Sequence, residues 1–129
     1  MVGSGVAGMQ ASIDLADSGH KVVLLEREDE LGGNLRNLIE LSPSGQNASE
    51  LLSSCLGKIE KNKNVTVMKK AEVVGFRGSF PNFHVTVKMP KGKEDLTVSA
   101  VVLATGIQPF DPSSLKQYGY GGLEDVVTS

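Results

Sequence analysis

Apolar positions first recur at helical spacing. Val6, Met9, Ile13 and Ala16 follow a glycine-rich opening and predict a helix, with Gly19 placed where a left-handed C-terminal cap would end it. Residues 21–26, KVVLLE, then form a short continuous apolar run, as expected of a strand buried on both faces of a parallel sheet. Gly32-Gly33 breaks the chain. Leu52, Cys55, Leu56 and Ile59 mark one face of a second long helix that frays at 61–64, and Val65–Met68 follows as a further strand.

From residue 72 the period changes from helical to alternating. Stretches 72–77, 83–89 and 95–99 are strand-like, separated by 78–81 and 90–93, both rich in Gly and Pro. Phe83, Val85, Val87 and Met89 alternate with His84, Thr86 and Lys88, so one face should pack and the other be wetted. This predicts an antiparallel three-stranded meander over about 72–99. Residues 100–104, AVVLA, are again continuously apolar and are expected to return the chain to the buried parallel sheet before Thr105-Gly106 stops it. The expected fold is α/β, a Rossmann-like parallel sheet flanked by helices with the meander appended, within one domain of 129 residues.

Composition narrows the function classes. A formal charge of -2, with four Phe, two Tyr and no Trp, offers neither a basic stripe nor a stacking platform, which argues against nucleic-acid binding. No apolar run approaches the ~20 residues of a membrane span and no signal peptide stands at the front, so a soluble, cytoplasmic chain is expected. The single cysteine, Cys55, excludes a redox-active cysteine pair within these residues. Redox chemistry here needs a cofactor.

The opening GSGVAG is a candidate phosphate-binding turn. In G-x-G-x-x-G, Gly3 permits the tight turn, Gly5 lets backbone approach a pyrophosphate, and Gly8 lets the helix pack closely, while Val6 and Ala7 complete the motif at the helix N-terminus. Glu26 ends the second strand 23 positions after Gly3, near the offset of ~20 at which a carboxylate accepts hydrogen bonds from a ribose hydroxyl pair. A carboxylate there would repel a 2′-phosphate, which disfavours NADP. No metal site is expected, and no residue is a credible general acid or base.

GSGVAG, LLERE, ELGGNL and VVLATG together resemble the FAD domain of flavoproteins with two dinucleotide-binding domains. LADSGHKVVLLEREDELGGNLRNL and ATGIQPFDPSSLKQYGYGGLEDVVTS narrow the resemblance to the A-type subunits of the heterodisulfide reductase family. It implies a pyrophosphate site at Gly3, Gly5 and Gly8 and an adenosine ribose at Glu26. It also implies a cofactor passing Gly32 and Gly33 and approached by the turn Ala104, Thr105 and Gly106. The parent would be an oxidoreductase passing electrons through FAD in a multi-subunit complex, with heterodisulfide reductase B/C-like, hydrogenase or dehydrogenase subunits as partners and iron-sulfur clusters elsewhere in the parent. The alternatives are an FAD domain of an NAD(P)H-dependent reductase of the glutamate synthase small-subunit type, and a non-catalytic nucleotide-binding module.

Other residues read as structural. Cys55 lies on the apolar helix face as a packing thiol, His20 in a turn, His84 on the wet face of a strand, and Tyr118 and Tyr120 in packing or turn positions. Arg27 is open between an adenine contact and a solvated side chain. The first strand is nearly absent before Gly3, Thr128-Ser129 resembles a helix cap, and no later ribityl-binding G-D segment follows. The chain is thus expected to be an incomplete FAD domain, clipped at both ends, inactive alone and unable to retain FAD through purification.

Overall fold

The computed structural model describes residues 1–107 and 110–127. Its parallel sheet is built from four chain segments. Strand β1 (Val22–Leu25) pairs in parallel with β4 (Val65–Met68), Val22 facing Val65 and Leu25 facing Met68. On the other side of β1, Val2 forms parallel bridges to both Leu25 and Leu103. The spatial order is therefore 65–68, 22–25, 1–2, 101–104, the third, second, first and fourth segments in sequence. Two residues are enough to seat the first segment: Gly3 N–H donates to the Leu25 carbonyl, Val2 N–H to that of Val102, and Leu25 N–H to that of Met1.

Helix α1 (Val6–Asp17) connects the first segment to β1 and buries Met9, Ile13 and Ala16. Its end is a Schellman motif: Gly19, at φ +89°, donates to Ala16 while His20 N–H reaches the Leu15 carbonyl at 3.0 Å. Val6 departs from the expected helix face, being 42% exposed on the first turn. A 3-10 turn (Gly33–Asn37) and a two-rung hairpin, β2 (Glu40–Leu41) with β3 (Gln46–Asn47), lead into helix α2 (Ala48–Lys61). The Asn47 side chain caps α2, its Oδ1 accepting from the N–H groups of Ser49 and Glu50. The hairpin carries no apolar alternation in sequence.

Two apolar clusters cover the two faces of the sheet. Leu24 joins Met9, Ile13, Cys55 and Ile59 on the helical side. Leu25 joins Ala71, Val85 and Val87 on the other, beneath the meander of β5 (Glu72–Ser79), β6 (Asn82–Met89) and β7 (Gly92–Val98). Burial on both faces is why residues 22–25 read as an unbroken apolar run. The meander has the expected order β5-β6-β7, with its second turn at Pro90-Lys91 and β7 starting three residues before the expected strand.

One expectation is corrected. Residues 100–104 are not a buried strand: the segment makes a single bridge through Leu103, which is 74% exposed, and Val102 is also exposed. The segment occupies the edge of the sheet, and its hydrophobicity is matched by packing on one side only, through Val101 against the meander cluster. Beyond it the described residues form short 3-10 turns, Pro112–Ser114 and Lys116–Tyr118. Tyr118 lies exposed in the second of these, while Thr128 and Ser129, the expected cap, lie outside the described residues.

Candidate functional site

The strand order reverses between segments 1–2 and 101–104, and the chain leaves both at the same end of the sheet. In open α/β sheets that reversal opens a crevice at the carboxyl ends of the strands. Gly3 and Ala104 meet there. A Cβ on Gly3, whose φ is +97°, would overlap the Ala104 carbonyl oxygen, and a Cβ on Gly8 would overlap the Gly3 carbonyl oxygen. Gly5 is different: its φ is -63° and an added Cβ would meet nothing within 4 Å. The first and third glycines are thus demanded by the fold. The second faces open space.

Gly5 is also the N-cap of α1, and its carbonyl accepts the first helical bond, from Met9. No side chain caps this end and no carboxylate sits in the first turn, so the N–H groups of Val6, Ala7 and Gly8 and the positive end of the helix dipole are free to meet an anion. Gly33 packs against this opening, the position of its Cβ lying 3.2 Å from the Gly5 Cα; Gly32, at φ +117°, would drive a Cβ to 2.7 Å from Leu52 Cδ1. The doublet is needed by two different neighbours.

Glu26 lies one residue beyond β1 and is 8% exposed. Its Oε2 accepts from the Ser4 N–H at 3.0 Å and from the Ser4 hydroxyl, and its Oε1 accepts from Glu28 N–H at 3.0 Å. Burial pushes the carboxyl pKa up, but the hydrogen bonds from Glu28, from the hydroxyl and N–H of Ser4 and from Arg27 N–H outweigh it and hold the group below its ordinary value. Glu26 is therefore an ionised carboxylate tied to the glycine turn. The neighbouring Arg27 is exposed and pairs with Glu28 at 3.2 Å. Lys70 pairs with Asp29 at 2.9 Å.

Gly3, Gly5, Val6, Ala7, Gly8, Glu26, Gly32 and Gly33 are thus brought into one neighbourhood, with Ala104 joined to it through Gly3 and followed by Thr105 and Gly106, both exposed. Arg27 points away into solvent. Sequence reasoning missed Ser4, which is fully buried and bonded to a residue 22 positions away. Its one local signal was a small polar side chain between the two glycines of a tight turn. A cavity of about 610 Å³, lined by residues such as Leu15, Val23, Leu96 and Val101, opens elsewhere, between the sheet and the meander. Among the described residues, no group of three or more His, Cys, Asp or Glu side chains could hold a metal ion. Nor is any helix long and apolar enough to cross a membrane.

A glycine turn at the strand-order reversal, an open helix N-terminus and a carboxylate closing the second strand are the elements of a Rossmann-type fold. The family model of the pyridine nucleotide-disulphide oxidoreductases matches residues 1–129, and the chain belongs to that family. It is similar to the A-type subunit of the ferredoxin/F420H2-dependent CoB-CoM heterodisulfide reductase of Methanosarcina acetivorans, with 30% identity over 94% of this chain and 16% of the relative. It is equally similar to an iron-sulfur A-type subunit of the CoB-CoM heterodisulfide reductase of Methanopyrus kandleri, at 30% identity over all of this chain and 31% of that protein. The chain spans less than a third of the length of these relatives. Among solved structures, thioredoxin reductase of Lactococcus lactis superposes with a TM-score of 0.71 at 24% identity, over 92% of this chain and 39% of that one. L-proline dehydrogenase of P. horikoshii gives 0.71 and 24% over 81% and 21%. These two likenesses bear out the fold.

Proposed function

We propose that the chain is the adenosine-diphosphate-binding part of an FAD domain in a flavoprotein of the heterodisulfide reductase A type, serving electron transfer in a multi-subunit redox complex of the cytoplasm. The observation that carries the reading is Gly5: it alone of the three motif glycines opens on empty space, at an uncapped helix N-terminus beside an ionised Glu26. The similarity to heterodisulfide reductase subunits supports the complex, since those relatives are named as subunits.

In this reading the N–H groups of Val6, Ala7 and Gly8 hold the pyrophosphate, and Gly5 supplies room for it. Glu26 accepts from the adenosine ribose. Gly32 and Gly33 keep side chains out of the cofactor's path. Ala104, Thr105 and Gly106 line its continuation. When bound, FAD supplies reversible electron transfer, which none of these side chains can perform. The chain's own part is to bind and orient.

The test is a titration of the purified chain with FAD, following flavin fluorescence. Saturable binding at one FAD per chain, lost in Gly5→Val, is the expected result. Binding that is absent, or unchanged by Gly5→Val, would overturn the reading.

A further inference from the structure

Ser4 has no part in the glycine motif, yet its side chain is fully buried at the centre of the site. Both of its donors, the N–H and the hydroxyl, fall on Glu26 Oε2. Its carbonyl and its Oγ both lie within reach of the Gly32 N–H, at 3.0 and 3.4 Å. One residue thus joins the first glycine turn, the carboxylate after β1 and the second glycine doublet. These elements are 22 and 28 positions from it in sequence.

A glutamate has three side-chain torsions, and a carboxylate that must be ordered as its ligand arrives weakens binding by the entropy lost. Glu26 is ordered in advance. The N–H of Glu28 holds Oε1 from the chain that follows, so the Ser4 hydroxyl is the only side-chain group bonded to this carboxylate among the described residues. The hydroxyl is in turn oriented by Gly32: an Oγ that accepts from an N–H directs its own proton elsewhere, and Glu26 Oε2 is the acceptor it meets.

We infer that Ser4 is a positioning residue for the adenosine end of a dinucleotide, its hydroxyl fixing the Glu26 carboxylate in the geometry that accepts ribose hydroxyls and coupling that carboxylate to the Gly32-Gly33 doublet. This rests on the dinucleotide reading above and deepens it. Ser4 touches neither ribose nor phosphate in this account and acts through Glu26.

The experiment is a double-mutant cycle of Ser4→Ala and Glu26→Gln, read by calorimetric titration with ADP and by carbon-13 NMR titration of the Glu26 carboxyl. Ser4→Ala keeps the volume and the backbone N–H and removes only the hydroxyl. Loss of one hydrogen bond to a charged group should weaken ADP about tenfold when Glu26 is present. The same change in the Glu26→Gln background should alter affinity less than about twofold, because the partner it acts through is gone. The Glu26 carboxyl should titrate at a higher pH in Ser4→Ala. Equal losses in both backgrounds would overturn the inference, since a residue that merely packs acts independently of Glu26. If ADP binds to none of the forms, the dinucleotide reading fails, and the carboxyl titration still decides whether Ser4 controls Glu26: an upward shift upholds that control, an unmoved midpoint overturns it.

Discussion

Gly8 packs directly on the carbonyl oxygen of Gly3, so closely that a Cβ at position 8 would overlap it. The atom in the way is backbone and cannot rotate aside. Overpacking a tight contact costs about 1–3 kcal/mol, whereas an alanine in a helix is better than glycine by only about 1 kcal/mol. Because the obstructing atom is backbone, the cost falls at the top of that range, and Gly8→Ala should on balance destabilise the chain by about 2 kcal/mol as α1 lifts from the turn. A melting temperature lowered by ~5 °C or more checks this; an unchanged one would show that the turn is not held as described.

Gly5 should behave oppositely. With φ at -63° and open space where its Cβ would sit, Gly5→Val can be accommodated by the fold, at a cost of about 1 kcal/mol for a poor N-cap residue. FAD retention in the full-length protein should nonetheless be abolished. Flavin absorbance after gel filtration, set beside the melting temperature, separates the two effects; retained flavin would remove the pyrophosphate from this turn.

Glu26→Ala should weaken FAD without preventing its binding. Loss of a hydrogen bond involving a charged group corresponds to about 1.5–3 kcal/mol, or roughly ten- to a hundredfold in dissociation constant. An unchanged constant would make Glu26 a purely structural carboxylate serving Ser4.

The same carboxylate predicts a pH dependence. Its pKa in the folded chain lies below the ordinary value, so the unfolded chain binds the proton more readily. The stability it contributes is fully present above the ordinary glutamate range and is lost as pH falls through the lower, folded value. Urea midpoints measured from pH 7 downward should fall with acid more steeply in the natural chain than in Glu26→Gln. Parallel profiles would mean that the hydrogen bonds from Ser4 and Glu28 do not favour the charged form.

Cys55 should be inert. It is 2% exposed on the inner face of α2, and burial pushes its thiol pKa up against a weaker downward pull from Lys58. A thiol reagent at neutral pH should label it only as fast as the chain opens, and at full rate in urea. Fast labelling of the native chain would place α2 differently.

The sequence alone determined the elements whose burial has a simple period. Residues 22–25 are apolar throughout because β1 is covered on both faces, and 83–89 alternates because one face of the meander is wet. Gly3, Gly5 and Gly8 with Glu26 were legible as well, since turn, helix start and strand end follow one another along the chain. Tertiary structure decided the rest. AVVLA has the composition of a buried strand, yet Leu103 lies exposed at the sheet edge, because burial depends on what stands beside a segment and its own residues do not specify that. Ser4 shows the same limit: its bond to Glu26 exists only because β1 pairs beside residues 1–2, which brings together two positions 22 residues apart. Local pattern records which face of an element is buried; which residues meet across the site is set by strand order.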